Sequence, residues 1–176
     1  MTRLPTTTRR SIRPTTVIAW IATTMAIFVS PVRAYAEPLK PLTVDTLPAL
    51  VSNANGNPTL IAFWSLDCMY CKEDMSVLDA FARKHRSLRL AIVSTDSIDD
   101  AETVEATLKS YGVRRYENWI FADPIPERVR SAFDPSWHGE LPRTYLYIGG
   151  TRREASSGRI SEATLDHWYA TAARGR

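Results

Sequence analysis

Apolar and polar positions alternate along this chain in blocks whose periods change. Thr59-Leu60-Ile61-Ala62-Phe63-Trp64 is an unbroken, mostly apolar run, the pattern of a strand buried on both faces. Leu88–Val93 repeats it. Between them, Cys71, Met75, Leu78 and Ala82 recur at steps of four, three and four, which predicts a helix over Cys68–His85 with one buried face. Ile98–Tyr111 reads as a second helix, with Asp99 or Asp100 near its start and Gly112 just past its end. Asn118–Ala122 is a third strand, broken at Asp123-Pro124, and Glu127–Phe133 a short helix. Thr144–Ile148 is a fourth strand, which Gly149-Gly150 turns into a hairpin partner over Thr151–Ser156. Ser161–Ala173 closes the chain as a helix.

Before the first strand the pattern is weaker. Glu37–Pro48 is rich in proline and reads as an extended surface lead-in. Leu47–Asn53 reads as a short helix, and Asn53-Ala54-Asn55-Gly56-Asn57-Pro58 as a turn. Alternating strands and helices predict an α/β sandwich with parallel central strands and an antiparallel edge from the last hairpin.

The first 36 residues follow a different logic. They carry Arg3, Arg9, Arg10, Arg13 and Arg33 and no acidic residue. The apolar run Val17–Val29 ends at Ser30-Pro31, ahead of Ala34-Tyr35-Ala36. A basic start, an apolar middle and a small-x-small end describe a secretory signal peptide cleaved after Ala36. A retained anchor is the alternative, but Val17–Val29 is short of the roughly 20 apolar residues a spanning helix needs. Residues 37–176 then form one exported domain, periplasmic or otherwise extracytoplasmic.

This division changes the meaning of the charge. The whole chain has 22 Lys and Arg against 19 Asp and Glu, a net charge of +3. Without the five leading arginines the balance is 17 against 19, or −2. No basic stripe remains to neutralise phosphates, so nucleic acid is not an expected partner.

Both cysteines lie in the exported part, within Phe63-Trp64-Ser65-Leu66-Asp67-Cys68-Met69-Tyr70-Cys71-Lys72. Here a buried strand hands over to a helix. A cysteine in the first helical turn meets unpaired backbone N–H groups and the positive end of the helix dipole, which favour thiolate. Cys68 is the expected nucleophile, and Cys71, facing inward with Met75, the resolving thiol. Asp67 either caps the helix or opposes a negative charge on Cys68. A zinc site needs two further Cys or His ligands, and only His85, His138 and His167 exist, scattered singly. Redox use is therefore the main reading, with a soft-metal carrier for an ion such as Cu(I) as the alternative from another class. Trp137-His138 is a weaker candidate for lining the cysteine cleft and Lys72 for supporting the Cys68 thiolate; they are read here as an exposed loop and a solvated helix residue. Trp64, Phe63 and Tyr147 are expected in the core.

A second motif, Gly139-Glu140-Leu141-Pro142-Arg143-Thr144, immediately precedes the strand Tyr145-Leu146-Tyr147. A strand-end Trp, a C-x-x-C at a helix start and a later Pro opening a strand before a hairpin together resemble the thioredoxin superfamily. Export, domain size and the strand inserted at Asn118–Ala122 are most similar to its TlpA-like branch, which includes the membrane-facing thiol reductases of cytochrome c maturation. The resemblance covers about Leu47 to Tyr169. It implies a thioredoxin-like mixed sheet flanked by helices, and thiol–disulfide exchange on exported proteins with no bound cofactor. It also implies a cis Leu141–Pro142 bond beside the cysteines, where Leu141 and Pro142 would receive an extended substrate. In a reducing role, electrons would come from a membrane-embedded thiol donor. The chain departs from the branch at three places. Asp67 stands where Trp is usual, Met69-Tyr70 lacks the common Pro before the second cysteine, and Arg143 follows the proline. Asp67, Met69 and Tyr70 are therefore expected to modulate the potential, and reductase, oxidase and isomerase directions all stay open.

Overall fold

The computed structural model describes residues 38–52 and 56–174. The expected signal peptide over residues 1–36 and the first half of the Asn53–Pro58 turn fall outside these residues. The elements, in chain order, are β1 (Lys40–Leu42), α1 (Leu47–Val51), β2 (Thr59–Trp64), α2 (Cys71–Lys84), β3 (Arg89–Ser97), α3 (Ala101–Ser110), β4 (Glu117–Phe121), α4 (Pro126–Phe133), β5 (Arg143–Ile148), β6 (Thr151–Ser157) and α5 (Glu162–Arg174). The six strands form one sheet in the order β1-β4-β3-β2-β5-β6. β1, β4, β3 and β2 run parallel, while β5 is antiparallel to β2 and to β6. This is the α/β mixed sheet with an antiparallel hairpin edge that the sequence pattern predicts.

Every residue of β2 is buried, as its continuous apolar run requires. Each face of the sheet carries its own core. On one, Leu60, Ala62 and Trp64 pack with Cys71, Met75, Leu78 and Phe81 of α2. On the other, Ile61 and Phe63 pack with Trp119, Trp137 and Tyr145. Period-2 alternation within β2 thus feeds two separate cores. The expected core positions Phe63, Trp64 and Tyr147 are buried.

The structure corrects the lead-in segment. Part of Glu37–Pro48 is a strand, since Lys40–Leu42 pairs with Trp119–Phe121 of β4 and Leu42 is fully buried. Pro41 lacks an N–H, but an edge strand needs only one side bonded. β3 also runs on past Val93, to Ser97, through a register shift between Ser94 and Ser97. The second helix is preceded by a 3-10 turn at Ile98–Asp100, whose Asp99 N–H donates to Ser97 Oγ at 3.2 Å. Gly112 follows α3 with φ +74°, which a residue with a Cβ adopts only under strain.

Candidate active site

Parallel pairing places the C-terminal ends of β2, β3 and β4 along one edge of the sheet. The segment Ser65–Tyr70 leaves β2 there and folds by two tight turns. Cys68 N–H donates to Ser65 O at 3.2 Å, and Cys71 N–H donates to Cys68 O at 3.3 Å. The second bond has i to i+3 spacing, so the chain is wound more tightly than an α-helix at this point. α2 consequently begins at Cys71, not Cys68, with Tyr70 as its N-cap residue. Cys68 therefore sits one turn ahead of the helix, not in its first turn.

Cys68 and Cys71 form a disulfide with Cα atoms 5.5 Å apart. Their environments differ. Cys71 is fully buried with Met75 and Leu78, whereas Cys68 is half-buried beside exposed Met69 and Tyr70. Of the two sulfurs, only that of Cys68 belongs to a residue open to solvent. Asp67 is exposed and caps nothing, because α2 has no side-chain cap.

A different carboxylate braces the turn. Both oxygens of Asp96, at the end of β3, accept from Leu66 N–H at 3.2 and 3.1 Å. Asp96 Oδ2 also accepts from Ser94 Oγ at 2.5 Å, and Thr95 Oγ1 donates to Trp64 O at 3.3 Å. Sequence reasoning passed over Asp96. The available signal was Ser94-Thr95-Asp96, three short polar side chains closing an otherwise apolar strand.

Asp74 is the second residue missed. It lies three positions after Cys71, hence on the same helical face, and is 2 % exposed. Burial pushes its carboxyl up to about 6, against the Ile160 N–H bond and the Arg159 charge, which pull it down. Ile160 N–H reaches both oxygens, at 3.2 and 3.3 Å, tying α2 to the start of α5.

β5 pairs antiparallel with β2 and ends its register at Phe63↔Arg143. Pro142 immediately precedes Arg143, at the end of the sheet where the cysteines leave. The Leu141–Pro142 bond is cis. Leu141 packs against both cores, and Cys68 packs against the first of them. Pro142 O accepts from Gly158 N–H at 2.8 Å.

Arg143 follows Pro142 and is held by buried Asp134 at 3.2 Å. Burial alone would raise the Asp134 carboxyl, but Ser136, Arg152 and Tyr145 all bond to it and hold it well below the usual carboxylate range. This network fixes the start of β5 from the face opposite Cys71. Of the weaker candidates, His138 is exposed as expected, while Trp137 is buried in the second core and donates from Nε1 to Glu140 O at 3.0 Å. Lys72 points its ammonium at the Tyr111 ring, 6.0 Å from the centroid. Among the described residues no group of three or more His, Cys, Asp or Glu side chains is arranged to hold a metal ion. His85 is stacked between Phe81 and Tyr169 near the far end of α2.

The solution structure of a putative thioredoxin from Neisseria meningitidis is similar to this chain. The TM-score is 0.54 at 24% identity, covering 72% of this chain and 79% of that one. The crystal structure of a thioredoxin-related protein from Neisseria meningitidis serogroup B gives a TM-score of 0.58 at 17% identity, over 69% of this chain and 89% of that one. The chain has the thioredoxin fold. A secreted Mycobacterium tuberculosis disulfide oxidoreductase, described as homologous to E. coli DsbE, shares this thioredoxin fold with a TM-score of 0.54 at 17% identity, over 70% of this chain and 85% of that one. No protein-family model matches the chain, and no curated protein does. On this thioredoxin fold the Cys68–Cys71 disulfide stands at the C-terminal edge of the parallel strands, the edge at which open α/β sheets place their ligands. No described helix is long and apolar enough to cross a membrane.

Proposed function

We propose that this chain is an exported, TlpA-like thiol–disulfide oxidoreductase that reduces disulfides in other exported proteins. The observation that carries the reading is the asymmetry of the pair: a solvent-reachable Cys68 bonded to a fully buried Cys71. In the reduced protein the Cys68 thiolate attacks one sulfur of a substrate disulfide. A Cys68–substrate bond forms, the substrate S–S bond breaks, and the first substrate sulfur leaves as a thiolate that takes a proton. Cys71, having lost its proton, then attacks Cys68 Sγ and releases the second substrate sulfur. The substrate gains two electrons and two protons, and the Cys68–Cys71 disulfide is regenerated in the protein. The Met69-Tyr70 dipeptide, exposed between the cysteines, and the Leu141–Pro142 segment form the surface that receives the substrate. A membrane-embedded thiol donor would return the electrons, by the same exchange run in the opposite sense.

Support for the reducing direction comes from Asp67, beside Cys68 in the chain, and Asp74, buried on the face of Cys71, since both disfavour thiolates. Export rests on the signal-like order of residues 1–36. The test is equilibration of the purified protein with glutathione buffers of known ratio. A potential below about −180 mV is expected; a higher one, in the range of isomerases and oxidants, would exclude the reductase role. Loss of all exchange in Cys68→Ser, with mixed disulfides trapped in Cys71→Ser, is the accompanying expectation.

A further inference from the structure

Only four large hydrophobic side chains are exposed among the described residues: Met69, Tyr70, Ile98 and Ile125. All four follow the C-terminal ends of β2, β3 or β4, which are neighbours in the sheet. Adjacent strands lie about 4.8 Å apart, so these three loops stand side by side. The Leu66 N–H bond to Asp96 ties the first directly to the second. The exposed apolar surface is thus gathered on the edge that carries Cys68.

The same edge is acidic. Segments 65–74, 95–103 and 122–128 together hold nine acidic residues and two basic ones. Arg159 pairs with Glu73 and Arg128 with Asp123. Asp67, Asp99, Asp100 and Glu102 are exposed and have no ion-pair partner among the described residues. At the opposite edge, segments 83–89 and 109–116 hold seven basic residues, but Arg83, Lys84, Arg89, Arg114 and Arg115 are all paired with carboxylates. Carboxylates in first helical turns answer each helix's own dipole, which accounts for Glu73, Glu102 and Glu127. That accounts neither for Asp67, which caps nothing, nor for the coincidence of acidic loops with every large exposed hydrophobic.

We infer that this edge is a docking surface for a cationic, apolar polypeptide segment that carries the reacting cysteine. The inference rests on the exchange chemistry proposed above and names the partner class for that site. The acidic loops draw in Lys- or Arg-bearing chain, while Met69 beside Cys68 and Ile98 and Ile125 on the neighbouring loops offer apolar contact. The unpaired carboxylates of these loops orient an approaching cation toward the disulfide.

The test compares peptide disulfides that differ only beside the cysteine, flanked by Lys-Leu, Glu-Leu or Lys-Ser, and reacted with the reduced protein. Uncharged 2-hydroxyethyl disulfide measures exchange without docking. The Lys-Leu peptide is expected to react about tenfold faster than the Glu-Leu peptide at low salt, with the ratio collapsing toward one at 1 M salt, where charges are screened. In Asp99→Lys/Asp100→Lys the ratio should fall several-fold. In Ile98→Ser/Ile125→Ser the preference for Lys-Leu over Lys-Ser should shrink while the charge ratio persists. Ratios within one variant cancel any change in thiol reactivity or folded fraction. Equal rates for the Lys and Glu peptides at low salt, or a ratio untouched by the Asp99/Asp100 changes, would overturn this inference alone. Absence of exchange with 2-hydroxyethyl disulfide as well would overturn the oxidoreductase reading beneath it.

Discussion

Replacing Asp74 by Asn should change how stability depends on pH, and the size follows from burial. Asp74 is 2 % exposed, and burial raises its carboxyl from the ordinary 3.8 to about 6. The folded protein therefore holds a proton that the unfolded chain has already released between those two values. Stability is greatest below the unfolded value, falls as pH rises through the window, and levels off above about 6. Raising the carboxyl from 3.8 to about 6 corresponds to roughly 3 kcal/mol. The amide introduced by Asp74→Asn would keep an oxygen for the Ile160 N–H but would bring an NH2 group with no acceptor, at a cost of about 1 kcal/mol. Near pH 4 the wild type should be the more stable by about that amount; at pH 7.5 the variant should lead by about 2 kcal/mol. Urea denaturation of both oxidised proteins at half-unit steps from pH 3.5 to 8 gives the difference directly. A difference that stays flat between pH 4 and 6, or that moves in favour of the wild type as pH rises, refutes the assignment of a buried, proton-holding Asp74.

Three further outcomes are expected. After reduction, iodoacetamide should label Cys68 before Cys71, because only Cys68 is open to solvent; mass mapping that finds Cys71 modified first contradicts the proposed roles. Asp96→Ala removes the acceptor for Leu66 N–H and should cost about 1–3 kcal/mol while speeding hydrogen exchange at the Leu66 amide. Unchanged exchange there would mean that Asp96 does not brace the turn. Protein purified under reducing conditions should hold no stoichiometric zinc or copper, since two thiolates leave a tetrahedral site half filled. One metal per chain by elemental analysis, lost in Cys68→Ser, would favour a soft-metal carrier instead.

Much of the sheet was legible because buried strands and helix faces leave periodic traces. The apolar run of β2 places both its ends, and Cys71, Met75, Leu78 and Ala82 mark the buried face of α2. β1 was not legible, because three residues around a proline carry no period; only the existing edge of β4 makes Lys40–Leu42 a strand. The sequence pattern places the start of α2 three residues early, at Cys68 instead of Cys71. Helical periodicity begins at Cys71, and the Cys71-to-Cys68 turn ahead of it is set by local winding and the disulfide, not by side-chain pattern. Asp74, Asp96 and Asp134 were invisible for a common reason. A carboxylate in sequence reads as solvated, and what makes each matter is a donor far along the chain: Ile160 N–H, Leu66 N–H, and the Arg143–Tyr145 pair.

Those carboxylates bear on the direction of electron flow. Oxidised protein carries no charge on its sulfurs, while reduced protein at neutral pH carries thiolate character on Cys68, so any nearby negative charge disfavours the reduced form. The dipole at the start of α2 acts the opposite way, but α2 begins at Cys71, which sets Cys68 one turn out from the helix end, where the dipole's influence is falling. Three carboxylates oppose it: Asp67 beside Cys68, Asp74 on the face of Cys71, and Asp96 against the turn that carries Cys68. Taking each as worth about 1 kcal/mol at a partly exposed sulfur, together they amount to about 3 kcal/mol, or roughly 65 mV for two electrons. Strong oxidants and thioredoxin differ by about 150 mV, so the three supply a large share of that gap without closing it. Neutralising all of them as Asn should raise the potential by about 65 mV, each substitution adding its part. A triple variant whose potential is unchanged or lower would show that these charges do not reach the sulfurs, and the reducing direction would then lose the physical ground it has in this structure.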